Sequence, residues 1–184
     1  MLKAYLFPMS WWQLLTPSLV LPSSVCAVTP ALLERYALRG LIVDVDDTIV
    51  GSGDLDIPQE VIRWTESLKQ HYPMWLVSNN FNQQRIQQIA DTLGLPCRSR
   101  AGKPSLRVIN QALTIMNLPP HQVAMVGDRL FTDIVAGNRA GMFSILVQPI
   151  ASVQQASFFS ALQLRTNWVR QSEIWLARKS GVKI

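Results

Sequence analysis

Cysteine is scarce in this chain: Cys26 and Cys97 are the only two in 184 residues, far apart and without metal-ligand spacing. That excludes a disulfide scaffold and a cysteine-based zinc site, and it fits a reducing compartment. Long apolar runs are also missing. The first 28 residues are apolar, but Pro8, Pro17 and Pro22 interrupt them and Gln13 sits inside. No segment approaches the roughly 20 uninterrupted apolar residues that span a bilayer. Lys3 followed by apolar sequence and Val25-Cys26-Ala27 imitates a secretory leader only weakly, so no cleaved signal is expected. There is no internal repeat and no low-complexity block.

Charge is sparse too, at 16% of residues, and its placement says more than its total of +5. Residues 1–40 carry +2, residues 41–159 carry −1 and residues 160–184 carry +4. A nucleic-acid binder would more often concentrate its bases on a folded face, so no nucleic acid is expected as partner. Basic ends suit an anionic membrane surface; ordinary solvated charge explains them equally well. With 48% hydrophobic residues the chain can bury a core.

Three regions emerge. Residues 1–39 form an apolar, proline-punctuated extension that packs on the core or on a membrane. It ends in a short helix capped by Thr29 with Pro30 at the first helical position. Residues 40–149 form the main domain, and residues 150–184 a basic tail containing tryptophan. In the main domain, strands are predicted at Leu41–Val43, Met74–Val77, Val123–Val126 and Phe143–Val147. Helices are predicted from Pro58 to Leu68, from an Asn82 cap to Gly94, from Pro104 through Met116, and from Asp133 to Gly141. Continuous apolar strands between amphipathic helices imply a three-layer α/β sandwich with a mainly parallel sheet. Such sheets bind ligands at the carboxyl ends of their strands.

Polar residues gather where those strands end. Asp44-Val45-Asp46-Asp47-Thr48 follows the first strand and Ser78-Asn79-Asn80 the second. Gly102-Lys103-Pro104 precedes a helix, and Gly127-Asp128-Arg129 with Asp133 follows the Val123 strand. Clustered carboxylates repel one another and persist only with a compensating cation, Lys103 or a divalent ion. Oxygen donors suit Mg²⁺, and carboxylates serve as nucleophiles in phosphoryl transfer. Singly, each of these residues reads as a turn or surface group. Asp47, Asp54 and Asp56 read as solvated loop, His71 and His121 as structural or exposed positions, and Cys97 as a small apolar residue.

Taken in order, Asp-x-Asp-x-Thr, Ser, Lys-Pro and Gly-Asp-x-x-x-x-Asp resemble the haloacid-dehalogenase-like (HAD) phosphatases across residues 40–149. The resemblance implies a Rossmann-like core, Mg²⁺ and an aspartyl-phosphate intermediate. It implies Asp44 as nucleophile, Asp46 as acid and then base, and Lys103 steadying both nucleophile and phosphate. Ser78 would bind the phosphoryl group, with Thr48, Asn79, Asn80 and Arg129 beside it on the substrate side. Mg²⁺ would bind Asp44, Asp128 and the backbone carbonyl of Asp46, with Asp133 behind it or joined through water. Neither gap between the motifs has room for a cap domain, so the site is expected to be open apart from a loop at Val50–Asp56, flexible through its glycines. An open site favours large substrates or substrates on a surface.

The lead-in Ala37–Leu41, the Ser78-Asn79-Asn80 element and the capless layout, the third subclass, resemble the YqeG-type branch. That branch is related to phosphatidylglycerophosphate phosphatases, and Asp47 departs from the Asn expected there. The implied substrate is phosphatidylglycerophosphate, dephosphorylated to phosphatidylglycerol in phospholipid biosynthesis. The alternatives are a phosphatase of soluble nucleotide or sugar phosphates, or a non-catalytic phosphoacceptor or membrane-surface module. Trp11, Trp12, Trp168 and Trp175 lie outside the main domain, and Trp favours membrane interfaces. From Asn167 onward the tail could form a basic amphipathic helix on lipid; packing on the domain is the competing reading. The location implied is cytoplasmic, with peripheral contact at the inner membrane surface. Arg98, Arg100 and Arg129 flank the motifs as further phosphate partners.

Overall fold

In a computed structural model, residues 11–150 are described. The elements run α1 (Trp11–Leu15), β1 (Leu19–Val20), α2 (Pro30–Arg35), β2 (Gly40–Val43), α3 (Gln59–Lys69), β3 (Met74–Val77), α4 (Gln83–Leu93) and β4 (Cys97–Arg98). They continue with α5 (Arg107–Met116), β5 (Val123–Gly127), a π-helical turn (Leu130–Ile134), α6 (Val135–Arg139) and β6 (Phe143–Leu146). All pairings in the six-stranded sheet are parallel, in the order β1-β6-β5-β2-β3-β4.

Side chains alternate across a strand, and this builds two cores on one sheet. Leu41 and Val43 face one side with Leu76 and Val126, where they meet Val61 and Leu68 of α3 and Ile86, Ile89 and Leu93 of α4. Ile42 faces the other side with Trp75, Val77, Val123 and Met125, where it meets Val108, Ile109, Ala112 and Leu113 of α5. The result is the three-layer sandwich that the continuous apolar strands imply. Among the described residues no cap domain interrupts it. One helix and one strand separate Asp44 from Ser78, and α4 with β4 separates Ser78 from Lys103.

The helix signals act as read at several ends. The Thr29 hydroxyl accepts from the Leu32 N–H at 3.3 Å, and Asn82 Oδ1 accepts from the Arg85 N–H at 3.1 Å. Gly94, at φ 65°, closes α4 in the left-handed conformation.

Other boundaries differ. Pro104 does not open α5; a turn closed by Ser105 N–H donating to the Gly102 carbonyl comes first, and the helix starts at Arg107. The segment after β5 does not start as an α-helix at Asp133. A π turn begins it at Leu130, with Ile134 N–H reaching back to the Arg129 carbonyl. Two-residue strands β1 and β4 escape a reading by periodicity, since neither is long enough to show one and prolines flank them.

From α1 onward, the segment before β2 is woven into the domain. β1 pairs with Ile145 and Leu146 of β6. Val25, Val28, Leu33 and Leu38 are buried in the first core, and the Trp64 indole N–H donates to the Val28 carbonyl at 2.8 Å. Leu15 packs with Leu130, Ile134 and Val135, while Trp11 and Trp12 are exposed. Trp168, Trp175 and the helix read from Asn167 lie outside the described residues. No helix among the described residues is long and apolar enough to cross a membrane.

Candidate active site

Parallel strands β2, β3 and β5 deliver their carboxyl ends to one edge, and the polar motifs meet there. Asp44 continues β2, its N–H donating to the Val126 carbonyl. Lys103 comes from the turn before α5, and its ammonium is buried against Asp44 Oδ1 at 2.5 Å, Asp133 Oδ1 at 2.7 Å and the Val77 carbonyl at 2.8 Å. Asn79 sets its backbone, donating to the Lys103 carbonyl at 2.9 Å and accepting the Lys103 N–H at 2.7 Å. Asp128 follows β5 directly. Asp133 hangs from the π turn, accepting the Arg129 N–H at 3.2 Å.

Oxygens of Asp44, Asp128 and Asp133 lie within 4.8 Å of one another, and all three residues are buried. Burial pushes the Asp44 carboxyl up from its ordinary 3.8 to about 7; Lys103 opposes the shift, and Asp133 and Asp46 reinforce it. Burial alone would lower Lys103, yet Asp133 and Asp44 hold it above the ordinary lysine range. Three buried carboxylates this close disfavour one another's ionised forms. A hard divalent cation with oxygen ligands fits this donor set and would return Asp44 to its ionised form.

Gly127 makes this proximity possible. A Cβ there would overlap the Asp133 carboxyl. Gly127→Ala is therefore expected to displace Asp133 and to cost about 1–3 kcal/mol, as overpacking does; urea unfolding of the two proteins measures it. A change below 0.5 kcal/mol, roughly the size of a neutral surface substitution, would show that the turn accommodates the methyl group.

Asp46 lies apart from the three-carboxylate group. Its Oδ2 accepts from the Ser78 hydroxyl at 3.2 Å and from Asn80 Nδ2 at 3.2 Å. Asn80 also donates its N–H to the Ser78 hydroxyl. The shortest contact is Arg85 Nη1 to Asp46 Oδ1, at 2.6 Å. Arg85 is not among the site residues that the sequence motifs predict, and α4 has the pattern of an ordinary amphipathic helix. The signal was present, because Arg85 precedes Ile89 by four residues and so lies on the helix's apolar face.

The remaining residues divide. Thr48 is wholly buried, and its hydroxyl has no hydrogen-bond partner among the described residues. Arg129 is half-buried at the edge. Asp47 is not the solvated loop residue expected: at φ 62° it turns the chain, and its carboxylate accepts from the Ser52 N–H and hydroxyl at 2.9 and 3.0 Å. The Val50–Asp56 loop is tied rather than free, since Arg85 donates to the Gly51 and Asp54 carbonyls. His71 and His121 are exposed. Arg98 and Arg100, both exposed, lie over the Trp75 and Phe81 rings.

A family model described as HAD-hydrolase-like matches residues 100–149. The chain is 36% identical to the probable phosphatase YqeG of Bacillus subtilis over 126 residues, 68% of this chain and 73% of that protein. It is 28% identical over 153 residues to the mitochondrial phosphatidylglycerophosphatase of Saccharomyces cerevisiae, covering 74% of this chain and 79% of that one. A crystal structure of an uncharacterized protein from Listeria monocytogenes serotype 4b shares the fold at a TM-score of 0.51 and 16% identity, over 68% of this chain and 88% of that one. With the parallel sheet and the converging acidic cluster, these likenesses show that the chain belongs to the HAD-like phosphatases, in the branch that includes YqeG.

Proposed function

We propose that the chain is a Mg²⁺-dependent phosphomonoesterase acting through an aspartyl-phosphate on Asp44, and that its substrate is phosphatidylglycerophosphate. The observation that carries the chemistry is the convergence of Asp44, Lys103, Asp128 and Asp133, with Asp46 beside them at the mouth. Asp44 and Asp128, with the Asp46 backbone carbonyl, would hold Mg²⁺, and Asp133 supports the cluster from behind through Lys103 and the Arg129 N–H. Bound there, the ion neutralises phosphoryl oxygens and keeps Asp44 ionised.

Asp44 attacks phosphorus, and the bond to the leaving oxygen breaks as Asp46 gives that oxygen a proton. Asp46 then takes a proton from water, which attacks the phospho-aspartate and releases phosphate and free Asp44. Lys103 orients Asp44 throughout and faces the charge that develops on the phosphoryl oxygens. Ser78 and the backbone N–H groups of the edge hydrogen-bond the phosphoryl group.

Two observations support a lipid-borne substrate. Among the described residues the site has no cap, and the loops around it present large apolar side chains to solvent: Phe81 is 76% exposed, Leu55 52% and Phe131 38%. Exposed Trp11 and Trp12 stand on α1, which packs against the π turn carrying Phe131. Apolar side chains with exposed Arg98 and Arg100 beside them suit an anionic headgroup region. A bilayer would hold the acyl chains while the terminal phosphomonoester projects into the open edge. The relative in Saccharomyces cerevisiae carries this substrate in its name. Peripheral contact with the membrane, with the basic tail taking part, belongs to the same reading.

The test compares kcat/KM for phosphatidylglycerophosphate in mixed micelles with a panel of soluble nucleotide and sugar phosphates, with Mg²⁺ and with chelator. The lipid should exceed every soluble ester by at least about tenfold, a difference of about 1.4 kcal/mol in transition-state binding, and chelator should remove the activity. A soluble ester that wins by that margin ends the lipid assignment and leaves the phosphatase assignment standing.

A further inference from the structure

Arg85 is 6% exposed, on the apolar face of α4, yet it is not a core residue by chemistry. A buried guanidinium persists only when its donors are matched. Three acceptors match it: Asp46 Oδ1 at 2.6 Å, the Asp54 carbonyl at 2.8 Å and the Gly51 carbonyl at 3.1 Å. One rigid, planar group thus joins the proton-transfer carboxyl to the loop that follows it, and both of them to the start of α4.

Three of the site's four carboxylates are divided between two cations. Lys103 holds Asp44 and Asp133, and Arg85 holds Asp46. The other contacts to the Asp46 carboxylate, from Ser78 and Asn80, are 3.2–3.4 Å long. Arg85 therefore sets the direction of the Asp46 carboxyl more firmly than either neighbour. Proton transfer demands that direction, because the leaving oxygen must lie within hydrogen-bond reach as its bond to phosphorus breaks. A side chain misplaced by about 1 Å can cost 10²-fold.

We propose that Arg85 is a positioning residue that aims Asp46 at the leaving oxygen and fastens the Gly51–Asp54 loop over the same edge. The inference rests on the assignment of Asp46 as the proton donor. Its consequence depends on the leaving group. An ester whose alcohol departs only when protonated needs an aimed Asp46. One whose alcohol departs as a stable anion, such as 2,4-dinitrophenyl phosphate, does not. Lysine in place of Arg85 keeps a charge but cannot reach three acceptors in fixed geometry.

The experiment measures kcat/KM, which covers the steps through loss of the leaving group, for phenyl phosphate and 2,4-dinitrophenyl phosphate. It uses the full chain with Mg²⁺ as wild type, Arg85→Lys, Asp46→Asn and the double variant. Arg85→Lys should lower the phenyl phosphate value on the order of 10²-fold and change the dinitrophenyl value less than about threefold. In the Asp46→Asn background, Arg85→Lys should add little, because two groups that act as a unit are not additive. Thermal unfolding of each protein accompanies the kinetics, and Arg85→Gln serves if the lysine variant does not fold.

Equal losses on both esters, or a full additional loss in the Asp46→Asn background, would make Arg85 a general support of the fold and overturn the proposal. No loss on either ester would overturn it as well. If Asp46→Asn itself shows no dependence on the leaving group, the proton-donor assignment fails and the proposal fails with it. Loss in Asp46→Asn without loss in Arg85→Lys or Arg85→Gln overturns the proposal alone.

Discussion

Asp44→Asn is expected to lower hydrolysis of an aryl phosphate by about 10⁴-fold or more, the scale on which removal of a nucleophile is felt. The amide cannot form the acyl phosphate, and Asp133 is held away from that role by Lys103 and by the Arg129 N–H. The fold should survive. Asn has nearly the same shape, and Asp44 is a buried carboxyl that burial already pushes toward its neutral form. Lys103 keeps Asp133 and the Val77 carbonyl as partners. Far-UV circular dichroism and the unfolding midpoint should match those of the wild type, with phosphate release at background. Wild-type turnover in the folded variant would rule out Asp44 as nucleophile.

Removing Lys103 should have the largest effect on stability. Its ammonium is sealed between Asp44, Asp133 and the Val77 carbonyl. Lys103→Met would leave these acceptors buried without a donor, and breaking such a pair costs about 3–5 kcal/mol. The loss should depend on pH, with an unusual sign for a carboxyl. Asp44 titrates near 7 in the folded protein against an ordinary value of 3.8, so between those values the folded state binds the extra proton. Stability from this group is therefore greatest at acid pH and falls as pH rises through the folded value. Lys103 opposes that rise, so without it the Asp44 value moves further up. Metal-free unfolding in urea should show a larger penalty at pH 8 than at pH 5, where Asp44 is protonated in both proteins. An equal penalty at both values would mean that Lys103 acts through packing alone.

The site was legible to different depths at different positions. Asp44, Asp46 and Asp128 were readable because they stand just beyond apolar strands, whose carboxyl ends a parallel sheet brings to one edge, and Lys103 and Asp133 because they complete the ordered set of motifs. The role of Asn79 was not readable, because its partners are backbone atoms of Lys103, 24 residues away in sequence. Arg85 was legible only as an anomaly, a charge on the buried face of α4. The Asp47 and Arg85 contacts that tie down the Val50–Asp56 loop were illegible, so its glycines read as flexibility. Arg139 belongs to the same class, its guanidinium reaching the Pro104 carbonyl at 2.7 Å.

The sequence by itself determined the layer architecture, since strand and helix periodicities are local properties that follow from which residues must leave water. It also determined the chemical inventory of the edge, because residue type and order within a βαβ chain are enough to place a motif at a strand's carboxyl end. Only the tertiary structure decided which cation serves which carboxylate. Lys103 and Arg85 are each flexible side chains with several acidic residues within reach of their elements. Their choice depends on distances of an ångström or two among groups remote in sequence. Electrostatic energy in a buried site varies steeply over such distances, and no pattern along a chain records them.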